Sequence, residues 1–150
     1  MVSLGDILGK QAEKLAQSSI EVGNVYRIKL DKSSGIIPKP GDDTRNKFFI
    51  ILGFDSDGNI YGGVIINSSI NANIPSKLKF LHMPIKVSKY SFLEHDSFVD
   101  CSSLKTTPLS GFSRWEFLGK MDKEDVTMIV GTLKTSPLVD IARLEDFGIK

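Results

Sequence analysis

Residues from which reactive sites are usually built are scarce in this chain: one cysteine, two histidines and one tryptophan among 150 residues. A lone Cys101 closes no internal disulfide and offers no thiolate cluster to a metal, the usage expected of a reducing cytoplasm, and it reads as a small apolar strand residue. A charge excess is missing too, since 19 Lys and Arg stand against 18 Asp and Glu for a formal net charge of +1. That balance argues against a protein held to nucleic acid by bulk electrostatics, so any such contact has to be local. The first twenty residues carry Asp6, Lys10, Glu13 and Lys14 and lack the unbroken apolar stretch of a secretory signal, so a cytoplasmic location is expected. No Gly-rich phosphate loop, paired-carboxylate signature, metal-ligand spacing or Ser/His/Asp arrangement stands out, and neither a cofactor nor a metal is expected. The composition itself, 41% hydrophobic and 25% charged with mean hydropathy −0.04, excludes the disordered and membrane classes. A length of 150 residues fits one domain around one core.

What is present is patterning. Ser3 followed by Asp6 has the spacing of a helix cap and its reciprocal carboxylate, and Leu4, Ile7, Leu8, Leu15 and Ala16 recur at helical intervals, which predicts an amphipathic helix over 3–18. From Val22 the period becomes two: Val25, Arg27 and Lys29 alternate with Tyr26, Ile28 and Leu30, the mark of a half-buried strand. Residues 31–46, rich in Ser, Gly, Pro and Asp, have no apolar face to bury and read as a long exposed loop, a length that is itself a weak sign of function. Two β-rich runs, 47–54 and 60–67, flank the turn-prone 55–59 and predict a hairpin. Gly62 and Gly63 inside its second strand predict a bulge that curls the sheet. Short strands are expected at 84–89, 97–102 and 114–118. Asp122 and Asp125 open a helix with the apolar stripe Val126, Ile129, Val130 and Leu133, ended by Pro137 and followed by a short helix at 138–146. The fold class is α+β: one small, curved antiparallel sheet with helices at its two ends.

The order strand, Gly-containing loop ending in Arg, apolar strand, hairpin, and strand ending in small polar residues resembles the PemK/MazF family of bacterial toxins. The residues that carry the likeness are Gly23-Asn24-Val25-Tyr26, Ser33-Ser34-Gly35 followed by Arg45, and Ile65-Ile66-Asn67-Ser68-Ser69. Tyr90-Ser91-Phe92 with Asp96-Ser97-Phe98-Val99, and the step Leu104-Lys105-Thr106, continue it, and the resemblance covers roughly residues 22–135. It implies a small SH3-like β-barrel, usually a homodimer. It also implies an endoribonuclease that cuts single-stranded RNA without a metal and is held inactive by a cognate antitoxin.

Such cleavage needs a group that stabilises the phosphorane's added charge, and Arg45 suits it because a guanidinium stays cationic and grips two phosphate oxygens at once. Asn67, Ser68 and Ser69 fall where the family carries its catalytic threonine, each able to hydrogen-bond phosphate or ribose, and any of the three can hold that position. Lys47, Lys105, Thr106 and Arg114 are the expected RNA contacts. Arg114 stands beside Phe112 and Trp115, where bases could stack, although an aromatic in a strand more often serves the core. His82 and His95 match no family position but have the chemistry of a general acid or base. Asn46 in place of the family's proline, and the missing threonine, favour the alternative of a catalytically inactive barrel that binds protein or nucleic acid.

Overall fold

The computed structural model describes residues 19–31, 41 and 44–149. The helix expected over 3–18 and most of the loop expected over 31–46 lie outside the described residues. The described chain runs β1 (Asn24–Asp31), β2 (Thr44–Phe54), β3 (Ile60–Asn67), a helical turn α1 (Ser76–Lys79), β4 (His82–Ile85) and β5 (Ser97–Pro108). A 3₁₀ segment (Leu109–Arg114), β6 (Glu116–Lys120), α2 (Lys123–Thr135) and α3 (Ile141–Asp146) complete it. The strands form one six-stranded sheet in the order β4-β5-β3-β2-β1-β6, with every neighbouring pair antiparallel. Strands β4 and β6 are its two edges, so the sheet is open rather than closed into a barrel.

Both faces of this sheet are covered, which is why its central strands read as continuous apolar runs instead of alternating ones. Val25, Ile50, Leu52, Val64, Ile66, Val99 and Cys101 face a first core closed by Ile129 and Leu133 of α2 and Leu144 of α3. The intervening residues Tyr26, Ile28, Phe49, Ile51, Tyr61 and Ile65 face a second core with Leu109, against which Phe112 and Trp115 pack. At about 1.5–3 kcal/mol for each large apolar side chain removed from water, these two layers are the main stabilising contribution. Trp115 sits in the second core, its ring 5.5 Å from that of Tyr26 and 5.9 Å from that of Tyr61.

The predicted hairpin forms, and the expected curl has a visible cause. Pairing registers slip between Ile51 and Gly53 in the β2–β3 ladder and between Gly63 and Ile65 in the β3–β5 ladder, with a third slip in β1–β6. A bulge of this kind raises the local twist. Gly63 is needed for close approach, because a Cβ there would stand 1.9 Å from the Ile50 carbonyl oxygen.

Several boundaries differ from expectation. The loop predicted over 31–46 ends early, since β2 begins at Thr44 and pairs Arg45 with Leu30 and Asn46 with Lys29. Backbone pairing to β1 outweighs the polar side chains here, which project from the strand at the open end of the hairpin. Strand β5 runs on to Pro108 rather than stopping near 102, and the strand predicted at 84–89 is found at His82–Ile85. Helix α2 has the expected stripe, but Asp122 makes no side-chain cap. Asp122 and Asp125 instead hold Lys89 at 3.1 and 2.9 Å, and Asp125 accepts a hydrogen bond from the Tyr90 hydroxyl, which ties the helix to the segment before β5.

Candidate functional site

The polar end of the β2–β3 hairpin opens into a cavity of about 500 Å³. Arg45 and Lys47 enter it from β2, Asn67 from the end of β3, and Ser68 and Ser69 from the residues just beyond. The guanidinium and the three short polar side chains that the sequence separates by more than twenty positions therefore share one cavity. Lys47 Nζ donates to Asn67 Oδ1 at 2.6 Å, a bond that joins the two strands across the mouth.

Strand β5 supplies the opposite wall. Between Gly63 and Ile65 on β3 the partner runs from Lys105 to Asp100, so β5 carries three extra residues (five steps against two). In an uninterrupted strand Asp100 and Lys105 would project to opposite faces, whereas this slip lets both line the cavity together with Ser102. Burial pushes the Lys105 ammonium below the usual lysine range, an effect that the Asp100 carboxylate partly offsets. Three cations and one carboxylate thus meet around a polar opening, an arrangement that attracts a phosphate while keeping one group able to accept a proton.

His82 lies directly across from Asp100 in the β4–β5 ladder. Its side chain is only 4% exposed, Nδ1 lies 2.8 Å from the Leu78 carbonyl, and Nε2 lies 3.6 Å from Asp100 Oδ1. Asp100 Oδ1 also accepts from the Ser102 backbone N–H at 2.9 Å and the Ser102 hydroxyl at 2.5 Å. The Asp100 side chain keeps 15% of its surface exposed.

A second cavity of about 200 Å³ meets the first and shares Arg45, Lys47, Asn67 and Ser68 with it. The first includes Ile65, a residue of the second core, whereas the other is lined by Phe48, Ile66 and Leu93 of the first core. Because successive strand residues face opposite sides, the two cavities open on opposite faces of the sheet and meet at its end. His95 and Glu94 stand in the second one.

Of the expected RNA contacts, Lys47 and Lys105 line the first cavity, whereas Thr106 and Arg114 line neither. Thr106 pairs with Gly62 further along β5, and Arg114 ends the 3₁₀ segment on the side of the aromatic cluster. Sequence reasoning passed over Asp100 and Ser102; their signal was the alternation of polar 100 and 102 with apolar Val99 and Cys101. Burial, and then the adjacent Asp100, push the Cys101 thiol up to about 12, which leaves it an inert core residue near neutral pH. Among the described residues, no group of three or more His, Cys, Asp or Glu is placed to hold a metal ion. Nor is any described helix long and apolar enough to cross a membrane. Neither the family models nor the curated proteins compared with this chain give a match.

Proposed function

We propose that this protein is an endoribonuclease of the PemK/MazF type that cuts single-stranded RNA without a metal. The observation that carries the reading is the common cavity of Arg45 with Asn67, Ser68 and Ser69, flanked by Lys47 and Lys105. A phosphate seated there meets a bidentate guanidinium and two ammonium groups, which stabilise the dianionic phosphorane more than the monoanionic diester and so lower the barrier. The short amide and hydroxyl side chains hydrogen-bond the ribose and the non-bridging oxygens and hold the 2′-hydroxyl in line with the departing 5′-oxygen. An SH3-like curl of the sheet is supported by its three register slips. A homodimer and an antitoxin whose flexible segment covers the cavity in the cytoplasm follow from the same resemblance.

Purified protein incubated with single-stranded RNA in excess chelator tests the proposal. The expected outcome is cleavage at short sequences, with duplex RNA spared. Intact RNA across diverse single-stranded sequences contradicts it. A second reading, a barrel that binds RNA or protein without cutting, is favoured by the Lys47–Asn67 bond, which occupies an amide oxygen of the site. Induced expression separates the two, since an active enzyme arrests growth and lowers bulk messenger RNA while a binder leaves messenger RNA unchanged.

A further inference from the structure

In-line displacement at phosphorus places the attacking and leaving oxygens on opposite sides, so the base and the acid that serve them have to approach from opposite sides as well. The two cavities offer that arrangement: they open on opposite faces of the sheet and share Arg45, Lys47, Asn67 and Ser68. A phosphate held on the shared residues leaves one flanking nucleoside for each cavity. We propose that Asp100 in the first cavity and His95 in the second form the proton-transfer pair of this site, with His82 and Ser102 positioning Asp100. The inference rests on the ribonuclease reading above and assigns groups that reading leaves open.

In the first cavity the choice lies between His82 and Asp100. His82 Nδ1 lies 2.8 Å from the Leu78 carbonyl, Nε2 stands 3.6 Å from Asp100 Oδ1, and the side chain is nearly sealed, which leaves Asp100 as the accessible group. The Asp100 contacts from His82 and Ser102 all fall on Oδ1, and Oδ2 has no partner among the described residues. Oδ2 is therefore the atom that accepts the 2′-hydroxyl proton. In the second cavity the choice lies between Glu94 and His95. A leaving-group acid has to hold a proton near neutral pH, which suits a histidine rather than an ordinary carboxyl group. His95 is exposed, and its Nδ1 lies 3.0 Å from the Asp96 carbonyl, which fixes the proton on that nitrogen when the ring is neutral. Its Nε2 has no partner among the described residues and is the donor.

The step balances without a further reactant. The 2′-oxygen bonds to phosphorus as its proton passes to Asp100 Oδ2, the bond from phosphorus to the 5′-oxygen breaks, and His95 Nε2 gives its proton to that oxygen. A 2′,3′-cyclic phosphate and a 5′-hydroxyl leave. The charged groups around Asp100 are His82, Lys105, Arg45 and Lys47; those around His95 are Glu94, Arg45, Lys47 and the adjacent Asp96, whose carboxylate accepts from the Val87 backbone N–H.

The test compares wild type, His95→Gln and Asp100→Asn on single-stranded RNA and on the same RNA with a bridging 5′-sulfur at the cleaved position, in chelator, across pH. A thiolate departs without protonation, so His95→Gln is expected to lose roughly 100- to 10,000-fold on ordinary RNA and to recover on the sulfur substrate. Asp100→Asn is expected to lose a similar factor on both substrates. Full activity of His95→Gln, or failure of the sulfur substrate to restore it, overturns the assignment while wild-type cleavage leaves the ribonuclease reading standing. A wild type that cuts no RNA overturns both. His95 is exposed and its variant keeps the fold, so this arm decides even where Asp100→Asn melts early.

Discussion

The centre and the open end of one hairpin make opposite uses of the same two strands. At the centre, Phe49, Ile50, Ile51 and Val64 have 0% of their surface exposed, and successive residues feed two different cores. Two to four residues further along the same two strands, Arg45 and Lys47, paired with β1, and Asn67, paired with β5, set polar side chains around a cavity. The backbone pairing is common to both; what differs is only what crosses it. Stability therefore lives in the centre and recognition at the end, and substitutions in each should move one property without the other.

The largest expected effect is at the centre. Gly63→Val drives a side chain into the Ile50 carbonyl, 1.9 Å from where its Cβ would stand, and is expected to cost more than about 4 kcal/mol, read as a collapse of the urea midpoint or loss of soluble protein. Near-normal stability of that variant would erase the distinction between the two regions. Ile50→Ala, which removes a fully buried side chain from the first core, is expected to cost about 3 kcal/mol by the same measurement.

Much of this architecture was legible in advance. The hairpin with its 55–59 turn, the bulge at Gly62 and Gly63 and the apolar stripe of α2 all follow from local period and turn chemistry, and each is found. The shared cavity of Arg45 with residues 67–69 was expected from a resemblance, not from spacing. What stayed hidden was that β5 brings Asp100 and Lys105 to one cavity, because its three-residue slip against β3 depends on the partner strand. Arg45 was read as the end of a loop because the Pro, Gly and Asp residues upstream break any ladder, yet pairing with Leu30 carries it into β2.

Lys105 sharpens the contrast with pH. Its ammonium is held down by burial, so the charged form opposes folding below the folded-state pKa and this cost disappears as pH rises through the folded and then the unfolded value. RNA affinity moves the other way, since the same deprotonation removes a phosphate contact. Lys105→Met should thus lower RNA affinity and reduce the salt slope by about 1. A folded variant that binds RNA normally would contradict the assignment.

The smallest expected effect concerns Asp125, which lines neither cavity. Burial pushes its carboxyl up, but hydrogen bonds from Tyr90 and Lys89 outweigh this and hold it below the usual range. A carboxylate with a depressed folded pKa stabilises above its unfolded value and loses that contribution as pH falls through the folded one. Asp125→Asn should flatten the acid limb of the melting-temperature profile and leave RNA cleavage unchanged.

Arg45 offers the most direct test, because it stands on β2, paired with Leu30, yet is exposed and belongs to neither core. Cleavage of single-stranded RNA in excess chelator by wild type and Arg45→Ala should be measured on preparations whose urea midpoints are also determined. The expected result is a loss of roughly 100- to 1,000-fold in rate with stability changed by less than about 0.5 kcal/mol. Undiminished cleavage by a folded Arg45→Ala protein would contradict the account.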